Sequence, residues 1–246
     1  MKDTNLSIII PAYNEGANLA AVLRKVLQVE LPHGIGKEII VVNDGSTDDT
    51  AAHAEAFVGS DVAASVKLLN HSVNMGKGMA IRTALPAVTG DYVVIQDADE
   101  ELDPNDYVVM LNKMIADNLP VVYGSRFLVG GRQGSRFFYY GNRILTALAN
   151  ILYGQHLTDE ATCYKMFSTP LLKSVNLQCR GFEFCPEVTA KIARRGLKIQ
   201  EVPISYFPRT REQGKKVRLT DGLIAAWWLI KYRWKGHTPS PFGHSP

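Results

Sequence analysis

Five short apolar runs rich in Val and Ile, each leading through a polar turn into a helical pattern, constrain this chain more than any other feature. The runs cover residues 6–11, 38–43, 66–70, 91–96 and 120–124, and helical periodicity covers 18–29, 48–57, 77–85 and 104–118 between them. Stretches such as IIVV and YVVI carry no polar alternation, which suits strands covered on both faces. Strands alternating with helices predict an α/β fold with a doubly wound, mainly parallel sheet. In such sheets ligands bind beyond the carboxyl ends of the strands. The polar motifs stand there: Tyr13-Asn14-Glu15 after the first run, Asn43-Asp44-Gly45-Ser46 after the second and Asp97-Ala98-Asp99 after the fourth.

The pattern changes beyond residue 125. A Gly/Arg-rich loop over 124–134 precedes a helix over 137–153 whose Phe137, Tyr140, Ile144 and Leu148 share one face. A strand over 162–168, a helix over 183–195 closed by Gly196, and a strand over 198–205 follow. A basic loop then leads into a helix over 219–234. The expectation is one domain over 1–235, with a donor half over about 1–125, an acceptor half over about 126–235, and a disordered tail at 236–246.

Charge is distributed unevenly. The net charge is only +3, so nothing points to a nucleic-acid binder. Residues 209–235 hold eight Lys/Arg against Glu212 and Asp221, a net of +6, which leaves the remainder of the chain at −3. A basic segment on a mildly acidic body suits an anionic surface or acceptor. The three cysteines, Cys163, Cys179 and Cys185, have no C-x-x-C spacing; a reducing cytosol fits them better than a disulfide framework. No run of about 18 apolar residues offers a membrane span.

Asp97, Asp99 and Glu101 alternate along the chain, and in an extended backbone they project the same way. Clustered carboxylates repel one another unless a cation joins them. Oxygen-only ligands suit Mg²⁺ or Mn²⁺, either of which also binds a diphosphate. The plainer reading is a solvated acidic loop ahead of the helix near Pro104. Asp44, at a strand's carboxyl end, can accept from a nucleotide base, while Gly45 to Asp48 read as a turn and a helix cap. Asn74-Met75-Gly76-Lys77-Gly78 is a structural turn or a phosphate-facing helix start, and it lacks P-loop spacing.

Together PAYNE (11–15), VVNDGSTDDT (41–50), NMGKG (74–78), DAD (97–99) and GSR (124–126) resemble family 2 glycosyltransferases of the GT-A fold. TDEATCYKMF (158–167), GFEFCPEVTAKIARRG (181–196), EVPISY (201–206) and the R-x-x-x-x-G-K-K pattern (209–216) are similar to the dolichyl-phosphate mannose synthase-like branch, over roughly residues 5–235. The resemblance implies that Pro11, Tyr13, Glu15 and Asp44 line the donor's nucleoside pocket. It implies that Asp97, Asp99 and Glu101 hold a metal on the donor diphosphate, and that Arg126, Arg209 and Lys216 face acceptor phosphate or donor diphosphate. Asn43 stands where many relatives carry a second Asp, and Glu101 where some carry Gln, which puts base recognition and metal preference in question.

The implied reaction is inverting transfer of a sugar, with mannose from GDP-mannose as the lead, to a polyprenyl or dolichyl phosphate. The second pKa of a phosphate monoester is about 6, so it is already a nucleophile near neutrality and needs cations more than a base. The helix over 219–234 carries Trp227, Trp228 and Trp234 between basic flanks, the composition of an interfacial helix. At least one of Trp227 and Trp228 is expected at the surface, because neighbours on a helix point about 100° apart. A peripheral protein on the cytoplasmic face of a membrane follows, with a membrane-anchoring subunit left open. Two rival readings stand beside this one. The first is a transferase acting on a saccharide or protein hydroxyl, with Asp159, Glu160 or Glu187 as base. The second is a non-catalytic sugar-nucleotide-binding subunit.

Overall fold

The computed structural model describes residues 4–59, 64–128, 136–209 and 219–234. Seven strands form one sheet in the order β3-β2-β1-β4-β6-β5-β7. They are β1 (Asn5–Ala12), β2 (Gly36–Asn43), β3 (Ala64–Asn70), β4 (Tyr92–Ile95), β5 (Val121–Ser125), β6 (Lys165–Ser168) and β7 (Gln200–Pro203). The helices are α1 (Gly16–Gln28), α2 (Thr50–Glu55), α3 (Lys77–Ala84), α4 (Asp106–Ala116), α5 (Arg136–Tyr153), α6 (Thr169–Ser174), α7 (Phe184–Ala193) and α8 (Leu219–Trp234).

Alternation within the apolar runs is what makes the sheet two-sided. Ile8, Ile10, Ile39, Val41 and Val94 pack with α1 and α4 on one face, whereas Ile9, Ile40, Val42, Val93 and Ile95 pack with α3, α6 and α7 on the other. Both sets are fully buried, which accounts for strands apolar at every position. The doubly wound, mainly parallel GT-A-type sheet expected from the sequence is present. Its exception is β6, which lies antiparallel between β4 and β5. That reversal brings the segment leading into β6, residues 158–164, to the edge where β4 and β5 end.

The strand over 198–205 is shorter than expected, Gln200–Pro203. The residues after it run antiparallel beside the end of the acidic segment through a Leu102–Tyr206 bridge and a Phe207 N–H to Glu101 carbonyl bond of 2.8 Å. Residue 209 is thereby carried back to the carboxyl end of β4. The loop expected over 124–134 lies outside the described residues from 129 onward, and so do Lys216, its neighbour Lys215 and the tail at 236–246.

Candidate active site

Two aspartates organise the β1 and β2 ends. Asp48 accepts from the Gly16 N–H at 3.1 Å and the Thr50 N–H at 3.1 Å, so one carboxylate holds the first turns of both α1 and α2. Asp44 is 2% exposed and accepts from the Met75 and Gly76 N–H groups, both at 2.8 Å, and lies 2.7 Å from His71 Nδ1. Its visible role is to pin the NMGKG turn. Gly45 and Gly76 make this approach possible. Both have positive φ, and a Cβ would come within 2.3 Å of the Val73 backbone at Gly45 and of the Arg180 carbonyl at Gly76. Pro11 pairs with Val42 in the sheet, and Tyr13 is 36% exposed at its end.

The carboxyl end of β4 carries the acidic cluster. The extended geometry expected for residues 97–101 does not continue past the strand: the chain bends at Ala98, and Asp97 pairs with one cation while Asp99 and Glu101 share another. Asp97 pairs with Lys77 at the start of α3, whose ammonium also lies 2.9 Å from Cys163 Sγ. Burial alone would raise Asp97, but Lys77, aided by Arg209, outweighs it and holds the carboxyl below its usual range. Asp99 pairs with Arg209 and accepts the Glu101 N–H at 3.1 Å. Burial first, then the Asp97 charge, pushes Asp99 up to about 7 against the pull of Arg209. Arg209 also reaches Glu15 at 3.4 Å and Glu101 at 3.9 Å, and its backbone N–H donates to Glu101 at 2.9 Å.

Among the described residues, no three His, Cys, Asp or Glu side chains are grouped to hold a metal ion. In this structure the Asp97 carboxylate lies on Lys77, and those of Asp99 and Glu101 lie on Arg209. The donor chemistry fits Mg²⁺ or Mn²⁺: the set is all oxygen, and it draws positive charge from two separate parts of the chain, Lys77 and Arg209.

Arg126, just beyond β5, makes a closed pair. Its Nε and Nη2 donate to Asp159 at 2.7 and 2.8 Å, its backbone N–H donates at 3.1 Å, and Asn142 of α5 adds 2.7 Å. Asp159 is fully buried; burial alone would raise it, yet Arg126 keeps it ionised and below its usual range. The Arg126 guanidinium sits 5.0 Å from the Tyr206 ring centre, three residues from Arg209. Sequence reasoning missed the supports of this pair. Glu201 accepts from the Thr158 N–H at 2.7 Å and the Asp159 N–H at 3.0 Å, and Gln96 accepts from both Tyr107 and Tyr164 beneath the cluster. An acidic or amide residue within a strand-like run was the available signal.

Helices α5 and α8 pack together behind Arg126. Leu229 and Ala149 are fully buried between them, and Tyr153 Oη donates to the Leu229 carbonyl at 2.5 Å. Glu187 of α7 anchors α8 through Tyr232 at 3.0 Å while accepting from the Gln178 and Cys179 N–H groups. The outer faces are apolar and exposed. Leu223, Trp227, Ile230 and Trp234 recur along one side of α8, and Tyr140, Ile144 and Ile151 along α5. Trp227 is 62% exposed whereas Trp228 packs inward, as expected of adjacent helical positions. No described helix is long and apolar enough to cross a membrane.

Residues 7–175 match the family model described as glycosyl transferase family 2. The chain is 28% identical over 210 residues to the low-salt glycan biosynthesis hexosyltransferase Agl6 of Haloferax volcanii, covering 84% of this chain and 49% of Agl6. It is 29% identical over 241 residues to the dolichyl-phosphate beta-glucosyltransferase ALG5A of Trichomonas vaginalis, covering 92% and 72% respectively. It is 30% identical over 205 residues to the glycosyltransferase AglJ of Haloferax volcanii, covering 82% and 63%. The chain thus spans about half of Agl6 and under two thirds of AglJ. Among solved structures, it superposes on glucosyl-3-phosphoglycerate synthase from Mycobacterium tuberculosis in complex with Mn²⁺, UDP and glucosyl-3-phosphoglycerate. The TM-score is 0.67 at 21% identity, over 93% of this chain and 80% of that one. A complex of the same enzyme with Mg²⁺ and UDP gives a TM-score of 0.66 at 20% identity, over 93% and 79%.

Proposed function

The chain belongs to glycosyl transferase family 2, and on that premise we propose that it transfers a hexosyl group from a nucleotide sugar to a polyprenyl phosphate with inversion at the anomeric carbon. The observation that carries this choice of acceptor is the fate of the three carboxylates that a hydroxyl acceptor would need as base. Asp159 is locked on Arg126, Glu187 is spent on backbone N–H groups and Tyr232, and Glu160 is 1% exposed. A phosphate acceptor needs no base. Its ionised oxygen forms the new bond to the anomeric carbon, and the bond from that carbon to the donor diphosphate breaks with its electron pair, releasing a nucleoside diphosphate.

Arg126 and Arg209 supply the positive charge such an acceptor needs, and Tyr206 holds the Arg126 plane from beneath. Pro11, Tyr13, Glu15 and Asp44 form the donor-side wall, with Asp44 shaping it through the NMGKG turn. Asp97, Asp99 and Glu101 would hold Mg²⁺ or Mn²⁺, which neutralises charge gathering on the leaving diphosphate. The name of ALG5A supports a dolichyl-phosphate acceptor and brings glucose in beside the mannose expected from the sequence. The exposed faces of α5 and α8 support a peripheral seat at the headgroup level of a membrane.

The test is a panel of radiolabelled GDP-mannose, UDP-glucose and UDP-N-acetylhexosamines against one polyprenyl phosphate. Label is expected in the lipid fraction for one donor. Efficient transfer to a free saccharide hydroxyl, with the lipid phosphate ignored, would overturn the acceptor assignment.

A further inference from the structure

Arg209 is held in a way that suits release. Its guanidinium is shared among Glu15, Asp99 and Glu101, contributed by the end of β1 and by the segment after β4, and it forms a fork-to-fork pair with none of them. Its Nε is buried without a hydrogen-bond partner among the described residues. The backbone is fixed independently of the side chain: the Phe207 N–H is on the Glu101 carbonyl and the Arg209 N–H is on Glu101 Oε1. Asp99, for its part, keeps the Glu101 N–H whatever Arg209 does. The contact between Asp99 and Arg209 can therefore open by side-chain rotation, with both backbones left in place.

We propose that Arg209 is an exchangeable internal cation: it occupies the carboxylates of the β4 cluster until a divalent cation takes Asp99, and the freed guanidinium then serves the acceptor phosphate. This rests on the metal-dependent reading of the site given above. A doubly charged ion and a guanidinium on one carboxylate repel each other at a few ångström, so the two alternate there. Arg209 lies three residues from Tyr206, the ring under Arg126, so its side chain leaves the cluster beside the other arginine assigned to phosphate. Donor loading and acceptor capture then become one coupled event, with Arg209 as the coupling element.

The test is Mn²⁺ affinity of the full chain, read from the electron paramagnetic resonance signal of free Mn²⁺, without nucleotide and with a nucleoside diphosphate. Without nucleotide, Arg209→Gln is expected to bind Mn²⁺ about tenfold tighter than the unaltered chain, a change of ~1.4 kcal/mol. Arg209→Lys, which keeps one charge but loses the fork, is expected to fall between them, and Asp99→Asn to lose the site. With nucleoside diphosphate present, the advantage of Arg209→Gln should shrink. Circular dichroism confirms that each variant is folded; should Arg209→Gln not fold, Arg209→Lys carries the comparison. Equal or weaker Mn²⁺ binding by the folded Arg209 variants, with Asp99→Asn still impaired, overturns the exchange and leaves the metal reading standing. Absence of Mn²⁺ binding by every chain, even with nucleoside diphosphate, removes both.

Discussion

Arg126 and Arg209 both sit on buried carboxylates at the same edge of the sheet, and they are held in opposite ways. Arg126 faces one carboxylate, meets it with two parallel N–H bonds, and is backed by Asn142 and its own backbone N–H. Arg209 faces three carboxylates and leaves one of its own donors unmet. The first arrangement is closed: each charge has its partner, and Glu201 fixes the backbone beneath. The second is over-subscribed, and like charges are kept together only by a side chain that none of them owns. A satisfied pair builds structure; a crowded one stores the capacity to bind something else.

The largest effect should come from the crowded centre. Asp99→Asn keeps the shape of the side chain and removes the charge, so transfer should fall by about 10³-fold or more while thermal unfolding is little changed. Wild-type activity in this variant, or full activity in a chelator, would falsify the metal assignment. Arg126→Ala should cost stability as well as transfer. It strands a fully buried Asp159, and denaturant unfolding should show a loss of about 3–5 kcal/mol, partly restored in the Arg126→Ala/Asp159→Asn double variant. If Arg126→Ala leaves stability intact, the two centres do not differ as described.

Arg209→Ala is expected to reduce kcat/KM for the lipid acceptor by roughly 30-fold, about 2 kcal/mol for a charge-assisted contact. A further carboxylate supplies a reference for what full satisfaction looks like. Glu38 accepts from Ser7, Thr89, Gly90 and Lys67. Burial alone would raise it, but the Ser7 and Thr89 bonds and Lys67 bring it down to about 2 from 4.5. Its folded pKa is depressed, so its contribution to stability is present above about 4.5 and is lost as pH falls toward 2. Glu38→Gln should flatten the pH dependence of unfolding in that window, and an unchanged slope would remove Glu38 from the ledger of acid stability. The smallest effect is expected at the exposed helices. Trp227→Ser with Ile144→Ser should weaken flotation with anionic vesicles by about tenfold and leave the soluble fold unaltered.

The first 125 residues were legible in the sequence because their signals are local. β-branched runs and helical periods set β1 to β5 and α1 to α4 within a few residues, and α8 within its observed bounds. Direction is not a local property: β6 carries an apolar run like its neighbours, and nothing in Lys165–Ser168 says that it runs antiparallel. Helix α6 was not legible although Thr169-Pro170 after Ser168 is a helix-start signal, because its six residues are too few to show a helical period. Asp97, Asp99 and Glu101 were legible as a cluster, but their geometry was not. The bend at Ala98 and the pull of Lys77 and Arg209 arise from contacts 20 and 110 residues away in sequence.

Those separations bear on how the protein is made. Glu15 and Arg209 are 194 residues apart, so a chain emerging from the ribosome displays Glu15, Asp99 and Glu101 long before the guanidinium that gathers them exists. Lys77 is synthesised before Asp97 and can balance that carboxylate as soon as β4 docks; Asp99 has to wait. A nascent chain thus carries these carboxylates without the guanidinium that gathers them until residue 209 has been made.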